Sequence, residues 1–137
     1  MIFVDTSLWS LAFRRPKGAS LPLAAQTHRA AVLSGEPIAF PGVVLQELLS
    51  GLRHQAQFDR LAKTVEPFPV VLASRADHLL AAQLANACRA KGVQTGAVDI
   101  LIVAMTINHD AGLWATDRDY LNISEVHPFR LRVLPAD

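Results

Sequence analysis

The sequence predicts an α/β three-layer sandwich, with a central parallel sheet of about five short strands flanked by helices. Short apolar runs alternate along the chain with segments of helical periodicity, which is typical of a parallel sheet covered on both faces. The chain has 137 residues, of which 51% are hydrophobic and 18% are charged. A chain of this size and composition buries the core of one domain without a disulfide. We therefore expect a single domain over residues 1–137.

The beginning of the chain is predicted to form a buried strand followed by two helices. Residues 2–4 are an apolar run that ends at a polar Asp-Thr-Ser sequence, where Thr6 or Ser7 can cap a helix over 8–13. Proline and glycine then interrupt the chain within a basic loop. Apolar residues recur at helical spacing over 22–33, and a glycine two residues later ends that helix.

The middle of the chain is predicted to contain two further strands with two helices between them. Residues 37–40 are a short apolar run that precedes a Pro-Gly pair. Over 43–52 the apolar residues recur every three or four positions, which indicates a helix with one buried face. A second helix covers 56–63, and the apolar run at 68–72 is the third strand.

The last part of the chain is predicted to contain two long helices and the two remaining strands. Ser74 and Asp77 have the spacing of a capping box, which opens a helix over 75–90. Residues 96–108 are apolar on nearly every side, so we expect a helix in the core. The other elements are a strand over 113–115, a helical turn over 119–123 and a last strand over 130–134.

The composition excludes several classes of protein. The single cysteine, Cys88, excludes an internal disulfide and a cysteine-based zinc site. The longest apolar runs fall far short of the ~20 residues that span a membrane, and the start of the chain lacks the basic segment of a signal peptide. Thirteen Lys and Arg residues oppose twelve Asp and Glu residues, and a net charge of +1 is no electrostatic footprint for nucleic acid. We expect a cytoplasmic globular protein without membrane contact.

Four acidic residues lie in apolar surroundings or at the end of a predicted strand: Asp5, Glu47, Asp99 and Asp117. Taken singly, each has an ordinary structural explanation, as a helix cap, an outward-pointing charge, a partner of the helix dipole or a turn residue. Taken together, they occupy two strand ends and two helix positions, which a parallel sheet brings to one rim.

Four carboxylates at one rim would repel one another. At an effective dielectric constant of ~20, two unit charges about 4 Å apart cost about 4 kcal/mol. A hard divalent cation is the natural agent to neutralise such a cluster, because it prefers oxygen ligands. With oxygen ligands only and no Cys or His cluster, the set favours Mg²⁺ or Mn²⁺ over Zn²⁺.

The acids and their local motifs, taken in order, resemble the PIN domain family over residues 1 to about 125. The motifs are Asp5-Thr6-Ser7 after an opening strand, Glu47 in a later helix, Asp99 at a helix start, and Thr116-Asp117-Arg118-Asp119-Tyr120 after a late strand. More narrowly, a freestanding PIN domain of this length is similar to the VapC-type ribonuclease toxins of type II toxin–antitoxin pairs.

The resemblance implies a catalytic and metal-binding role for each of the four acids. Asp5 and Asp99 correspond to direct metal ligands, Glu47 to a ligand or a water-orienting base, and Asp117 to a ligand of a second metal ion. Asp119 matches a less regular fifth acid, which acts through water or from beyond the direct ligands. Whether one or two ions bind at rest stays open.

Hydroxyl groups around these acids also have counterparts in the family. Thr6 or Ser7 matches the hydroxyl that follows the first acid and helps to hold the site. The family often carries Thr two residues before the fourth acid, but this chain has Ala115 there and Thr116 beside Asp117. This departure leaves open which of the two late acids completes the site.

The activity implied by the resemblance is metal-dependent hydrolysis of RNA phosphodiesters, chemistry that Mg²⁺ or Mn²⁺ can support. Basic residues should then contact phosphate, because phosphate contacts dominate affinity for nucleic acids. We expect this of Arg14, Arg15, Lys17 and Arg53, for which the alternative is ordinary solvated charge.

The resemblance also implies protein partners: a homodimer, and a small VapB-like antitoxin that wraps the chain and inserts a basic side chain into the acidic pocket. The apolar content suggests that part of the surface is covered by another chain. The candidate surfaces are the helix over 8–13 and the stripe formed by Leu45, Leu49 and Leu52.

Two other functions compete with a ribonuclease. A receiver-like module that binds Mg²⁺, or a non-catalytic RNA-binding α/β module, would use the acids without cleaving anything. Receivers, however, place paired acids after the first strand and need a late lysine, and this chain has neither feature. A structure-specific DNA nuclease has similar acidic sites, but its clamp and arch elements have no room in 137 residues.

Overall fold

Five parallel strands form the central sheet of the structure, a computed structural model that describes residues 1–13 and 21–136. The spatial order of the strands is β3-β2-β1-β4-β5. This confirms the predicted α/β class with its short, parallel strands. The strands are β1 (Ile2–Val4), β2 (Ile38–Pro41), β3 (Val70–Val71), β4 (Gly112–Ala115) and β5 (Leu131–Val133).

Helices connect the strands close to the predicted positions. Gly35 and Gly92 follow the ends of two of them with φ angles of +78° and +76°, a conformation that glycine adopts without strain. The helices are α1 (Thr6–Phe13), α2 (Leu23–Leu33), α3 (Gly42–Ser50), α4 (Gln55–Val65), α5 (Arg75–Ala90), α6 (Ala97–Asn108) and α7 (Asp119–Val126).

The helices form layers on both faces of the sheet. In β1, Phe3 is paired with Ala39 of β2, so that Phe3 and Phe40 point to opposite faces. Phe40 stacks on Trp9 of α1, with 4.4 Å between the ring centroids. Phe3 meets the ring of His109, at the end of α6, edge to face at 6.0 Å. Helices α1 and α6 therefore lie on opposite sides, as a three-layer sandwich requires.

The prediction of a core helix at 96–108 is confirmed by α6. Four consecutive residues, Ile102 to Met105, have no exposed side-chain surface. A helix buried in this way needs apolar residues on every side, which explains its lack of an amphipathic pattern. None of the described helices combines the length and apolar character needed to cross a membrane.

The start of α1 differs from the prediction. Thr6 and Ser7 lie inside the first turn, so the prediction that one of them caps the helix is wrong. Asp5 takes that place: its backbone oxygen accepts from Leu8 N at 3.0 Å and Trp9 N at 3.1 Å, and its Oδ2 accepts from Ser7 N at 3.2 Å. A carboxylate can satisfy free N–H groups at a helix start as a hydroxyl does.

The predicted capping box of α5 is confirmed. The Ser74 hydroxyl accepts from Asp77 N, and the Asp77 carboxylate accepts from Ser74 N at 2.9 Å and from Asn108 Nδ2 at 2.8 Å. Although burial acts to raise the pKa of Asp77, these hydrogen bonds hold that pKa below its ordinary value. The start of α5 is thereby joined to the end of α6.

Candidate active site

Asp5 lies at the carboxyl end of the central strand and is 5% exposed. Its backbone N–H donates to Trp114 O on the adjacent strand at 2.8 Å. Its Oδ2 accepts from the Ser7 hydroxyl at 2.7 Å, and its Oδ1 accepts from the Tyr120 hydroxyl at 2.8 Å. Both oxygens of this buried carboxylate are therefore oriented by neighbouring donors.

Asp99 lies in the first turn of α6 and is half-buried. Its Oδ1 is 3.2 Å from the Tyr120 hydroxyl, which therefore lies between the carboxylates of Asp5 and Asp99. Burial raises the pKa of Asp99 to about 6, and the charge of Asp5 adds to this effect, as do those of Asp117 and Glu47. The structure thus places the other three predicted acids within electrostatic reach of Asp99.

Glu47 lies on α3 and is exposed, as expected of an outward-pointing charge, the ordinary structural explanation given above. Its Oε1 nevertheless accepts a hydrogen bond from the Thr6 hydroxyl at 2.8 Å. Thr6 is the first residue of α1, so this bond joins two helices that follow different strands. The hydroxyls of Thr6 and Ser7 therefore serve different acids, Thr6 serving Glu47 and Ser7 serving Asp5.

The two late acids have different positions. Asp117 is half-buried, and its Oδ1 accepts from Asp119 N at 2.9 Å at the start of α7. Asp119 is exposed, and it is the charge of Asp117 that acts on Asp99. Thr116 contributes its backbone N–H, which donates to the Ser7 hydroxyl at 3.2 Å. The geometry therefore favours Asp117 over Asp119 as the fourth acid.

Tyr120 is the residue of this site that sequence reasoning missed. It is the one tyrosine of the chain and is 1% exposed. Burial, then the charges of Asp5 and Asp99, raise the pKa of its phenol, which stays protonated and able to donate. In the sequence, Tyr120 directly follows the last acid of the motif. A buried tyrosine hydroxyl needs a hydrogen-bond partner, so this position beside the acids was the available signal.

The donor set has the chemistry that a hard divalent cation requires. The four predicted acids offer carboxylate oxygens, and burial raises the pKa of Asp99, with the neighbouring charge of Asp5 adding a repulsion that a cation would relieve. Within residues 1–13 and 21–136, no three His, Cys, Asp or Glu side chains already have the spacing of metal ligands. Asp5 and Asp99 instead share one hydrogen-bond donor.

A groove of about 520 Å³ begins at Thr6 and Glu47 and runs between α1, α3 and α4. We call it the α1–α3–α4 groove. Its polar lining includes Gln57 and Arg60 of α4. Its apolar lining includes Phe13, Leu48, Leu52 and Leu61.

The basic residues that are predicted to contact phosphate lie in different parts of the chain. Arg14, Arg15 and Lys17 lie outside the described residues. Arg53 is exposed in the connection between α3 and α4. Arg60, which sequence reasoning did not select, is exposed and lines the groove. Its position facing the groove depends on how α4 packs, which charge patterning alone does not show.

The surfaces predicted to be covered by another chain are only partly free. Leu8 is fully buried in the core of the chain itself, whereas Phe13 at the end of α1 is 39% exposed. Leu45 and Leu49 are half-buried. The α1 prediction is wrong for the beginning of the helix, which packs against β2 and α2, and for the exposed end of the helix it stays a prediction.

Comparison with known proteins places these observations in a family context. The model of the PIN domain family matches residues 2–126, a range that includes all the acids described above. No curated protein matches the sequence significantly.

Several solved structures have the same fold. VapBC2 from Rickettsia felis, bound to a promoter DNA fragment, has a TM-score of 0.76 and 18% identity over 98% of this chain and 99% of that chain. FitAcB from Neisseria gonorrhoeae has a TM-score of 0.73 and 18% identity, over 99% of this chain and 98% of that chain. A toxin–antitoxin complex from Klebsiella pneumoniae has a TM-score of 0.64 and 16% identity, over 86% of this chain and 88% of that chain. Identities this low establish similarity of fold alone.

Proposed function

The chain belongs to the PIN domain family, and from this premise we propose that it is a metal-dependent endoribonuclease, the toxin of a toxin–antitoxin pair. One observation carries the proposal. Asp5 and Asp99 share the Tyr120 hydroxyl at the carboxyl end of the sheet, with the charges of Asp117 and Glu47 within reach. A concentration of carboxylates of this kind suits the binding of a cation and, with it, of a phosphodiester.

Asp5, Asp99 and Asp117 are the residues that would hold Mg²⁺ or Mn²⁺, with Glu47 as a further ligand or as the acid that orients water. When bound, such an ion neutralises the charge of the scissile phosphate and activates water. The side chains differ in burial in a way that matches these roles. Asp5 is buried, whereas Glu47 is exposed and lines the α1–α3–α4 groove.

Glu47 is well placed to orient the attacking water or to accept its proton. The Thr6 hydroxyl holds Oε1, which limits the rotation of the carboxylate while leaving the side chain accessible to solvent. A general base needs both a fixed direction and access to the water that it serves. Ser7 and Tyr120 give Asp5 a fixed direction in the same manner.

We propose that the protein partner is a small VapB-like antitoxin and that the chain forms a homodimer. Solved structures of the same fold include a toxin–antitoxin complex. The α1–α3–α4 groove suits an antitoxin segment, because its lining combines apolar side chains with the exposed carboxylate of Glu47. A segment with apolar residues and one basic side chain would fill the groove and block access to the acids.

Cleavage of a labelled single-stranded RNA by the purified chain tests the proposed function. We expect cleavage with Mg²⁺ or Mn²⁺, none with EDTA, and a loss of about 100-fold or more in Asp5→Asn and Asp99→Asn. Asp59→Asn is the matched control, because Asp59 is exposed on α4 and accepts from Gln55. Metal binding without cleavage of any RNA would overturn the nuclease and favour a binding module.

A further inference from the structure

We propose that the Tyr120 hydroxyl is a positioning group that holds the carboxylates of Asp5 and Asp99 in the arrangement that a divalent cation binds. This inference rests on the proposed function, because it assigns the hydroxyl a role toward the same cation. It goes further in naming a residue that is neither an acid nor a ligand. The role belongs to one oxygen atom of the side chain, while the ring serves the core.

The position of the hydroxyl is the first argument. It lies 2.8 Å from Asp5 Oδ1 and 3.2 Å from Asp99 Oδ1, and the Tyr120 residue is 1% exposed. Three elements meet at this atom: Asp5 follows β1, Asp99 begins α6, and Tyr120 belongs to α7. A group that touches both carboxylates from a third element is able to set the distance between them.

The dependence of Asp99 on this contact is the second argument. Asp5 is also held by Ser7 N and the Ser7 hydroxyl, which fix its Oδ2. Within the described part of the chain, Tyr120 is the one hydrogen-bond donor to the Asp99 side chain. The direction of the Asp99 carboxylate therefore depends on Tyr120 far more than that of Asp5 does.

The chemistry of the hydroxyl is the third argument. A phenylalanine would fill the same volume in the core, so packing alone does not account for a phenol between two carboxylates. A neutral donor placed there offsets part of the repulsion between the two acids and keeps them close before the cation arrives. Removing partners that orient metal ligands typically lowers metal affinity or activity about 10–100-fold.

Tyr120→Phe, which removes one oxygen atom and keeps the ring, is the test. The matched control is Thr106→Val, because Thr106 is 1% exposed and its hydroxyl donates to Ile102 O rather than to an acid. Affinity for Mn²⁺ is measured by calorimetry without RNA, and thermal unfolding is recorded in EDTA. We expect Mn²⁺ affinity to fall about tenfold or more in Tyr120→Phe and to change less than about twofold in Thr106→Val.

Thermal unfolding in EDTA separates positioning from a general loss of structure. If Tyr120 acts as a positioning group, then Mn²⁺ affinity falls at a temperature at which Tyr120→Phe is fully folded without metal. Equal or tighter Mn²⁺ binding by Tyr120→Phe overturns the inference while the proposed function stands. A failure of the unaltered chain to bind Mn²⁺ overturns the proposed function, and the inference with it.

Discussion

The hydroxyl of Ser7 links three parts of the site through one atom. It donates to Asp5 Oδ2 at 2.7 Å and accepts from Thr116 N at 3.2 Å, and so joins the ends of the two central strands. Thr6 makes a single comparable bond, to the exposed Glu47. Since a hydrogen bond to a buried charge contributes more than one to a solvated charge, the two hydroxyls are not equivalent.

We predict that Ser7→Ala lowers the rate of RNA cleavage about 10–100-fold, and that Thr6→Val lowers it less. Ser7→Ala removes the shorter of the two hydrogen bonds to Asp5 Oδ2, keeps the one from the backbone N–H of residue 7, and leaves Thr116 N without its acceptor. Cleavage rates across a Mn²⁺ titration provide the measurement, because the Ser7→Ala defect should shrink as Mn²⁺ rises. Equal rates for the two variants would contradict the assignment of Ser7 to the buried acid.

His28 ties the stability of the chain to pH. It is 3% exposed and packs edge to face on Trp9, with 4.3 Å between the ring centroids. Burial lowers the pKa of His28 from 6.5 to about 4, so the folded chain holds the neutral ring. Between those values the unfolded chain binds more protons than the folded chain, and stability therefore falls as the pH falls.

We predict that, as the pH falls from about 7.5 to about 5, the shifted pKa of His28 lowers the free energy of unfolding by about 2 kcal/mol. In His28→Phe, which keeps an aromatic ring against Trp9, this part of the pH dependence should disappear. Urea unfolding of both proteins at the two pH values measures this difference. The carboxylates contribute equally to the pH dependence of both proteins, so their contribution cancels in the comparison. Parallel losses of stability in the two proteins would show that burial does not shift the pKa of His28 in the folded chain.

At the scale of elements, one buried carboxylate couples α5 to α6. Asp77 is 1% exposed and receives hydrogen bonds from its own helix start and from Asn108 at the end of α6. Asp99 begins that same α6, on the side of the site. The junction therefore supports the helix that carries a predicted ligand, without contacting the acids of the site.

We predict that Asp77→Ala lowers the free energy of unfolding by about 3 kcal/mol, because Ser74 N and Asn108 Nδ2 lose their acceptor. Ser74→Ala should cost about 1 kcal/mol, the usual effect of losing a helix cap. Urea unfolding gives both values. At a temperature where Asp77→Ala is folded, its affinity for Mn²⁺ should match that of the unaltered chain, and a loss of affinity would place Asp77 in the site.

The elements were predictable because each leaves a pattern within its own segment. The apolar runs at 2–4 and 96–108 indicate burial, and their central residues Phe3, Val4 and Ile102 to Met105 are buried. The contact between Thr6 and Glu47 spans 41 positions and that between Tyr120 and Asp5 spans 115. No local pattern encodes such pairs, because they depend on how whole elements pack. The contacts of Tyr120 with two acids, and the position of Arg60 at the groove, therefore do not follow from local patterns.

At the scale of the whole molecule, the strand order determines which acids meet. Strand β1 lies between β2 and β4, so Asp5 at its end is next to the segment that follows β4. The parallel direction of the strands brings those ends to one rim. This explains why the proximity of Asp5 to the segment that carries Asp117 was predictable although the hydrogen bonds there were not.

The attraction of the molecule for RNA near this rim depends on local positive charge. The net charge is only +1, so affinity for RNA depends on where individual cations lie. Arg60 is exposed on α4 and lines the groove that begins at Glu47. In the described part of the chain, the ion pairs are those of His109 with Asp77 and of Arg130 with Asp110, which leaves the Arg60 guanidinium available for phosphate.

We predict that Arg60→Ala weakens binding of single-stranded RNA and lowers the slope of log affinity against log salt by about 0.7, the effect of losing one phosphate contact. Anisotropy of a labelled RNA in EDTA, from about 50 to about 200 mM salt, measures both quantities without cleavage. Arg89→Ala on α5 is the matched control, because Arg89 is exposed and contacts Asn86 rather than the groove. If both variants retain the slope of the unaltered chain, then RNA approaches the acids by a path other than the α1–α3–α4 groove.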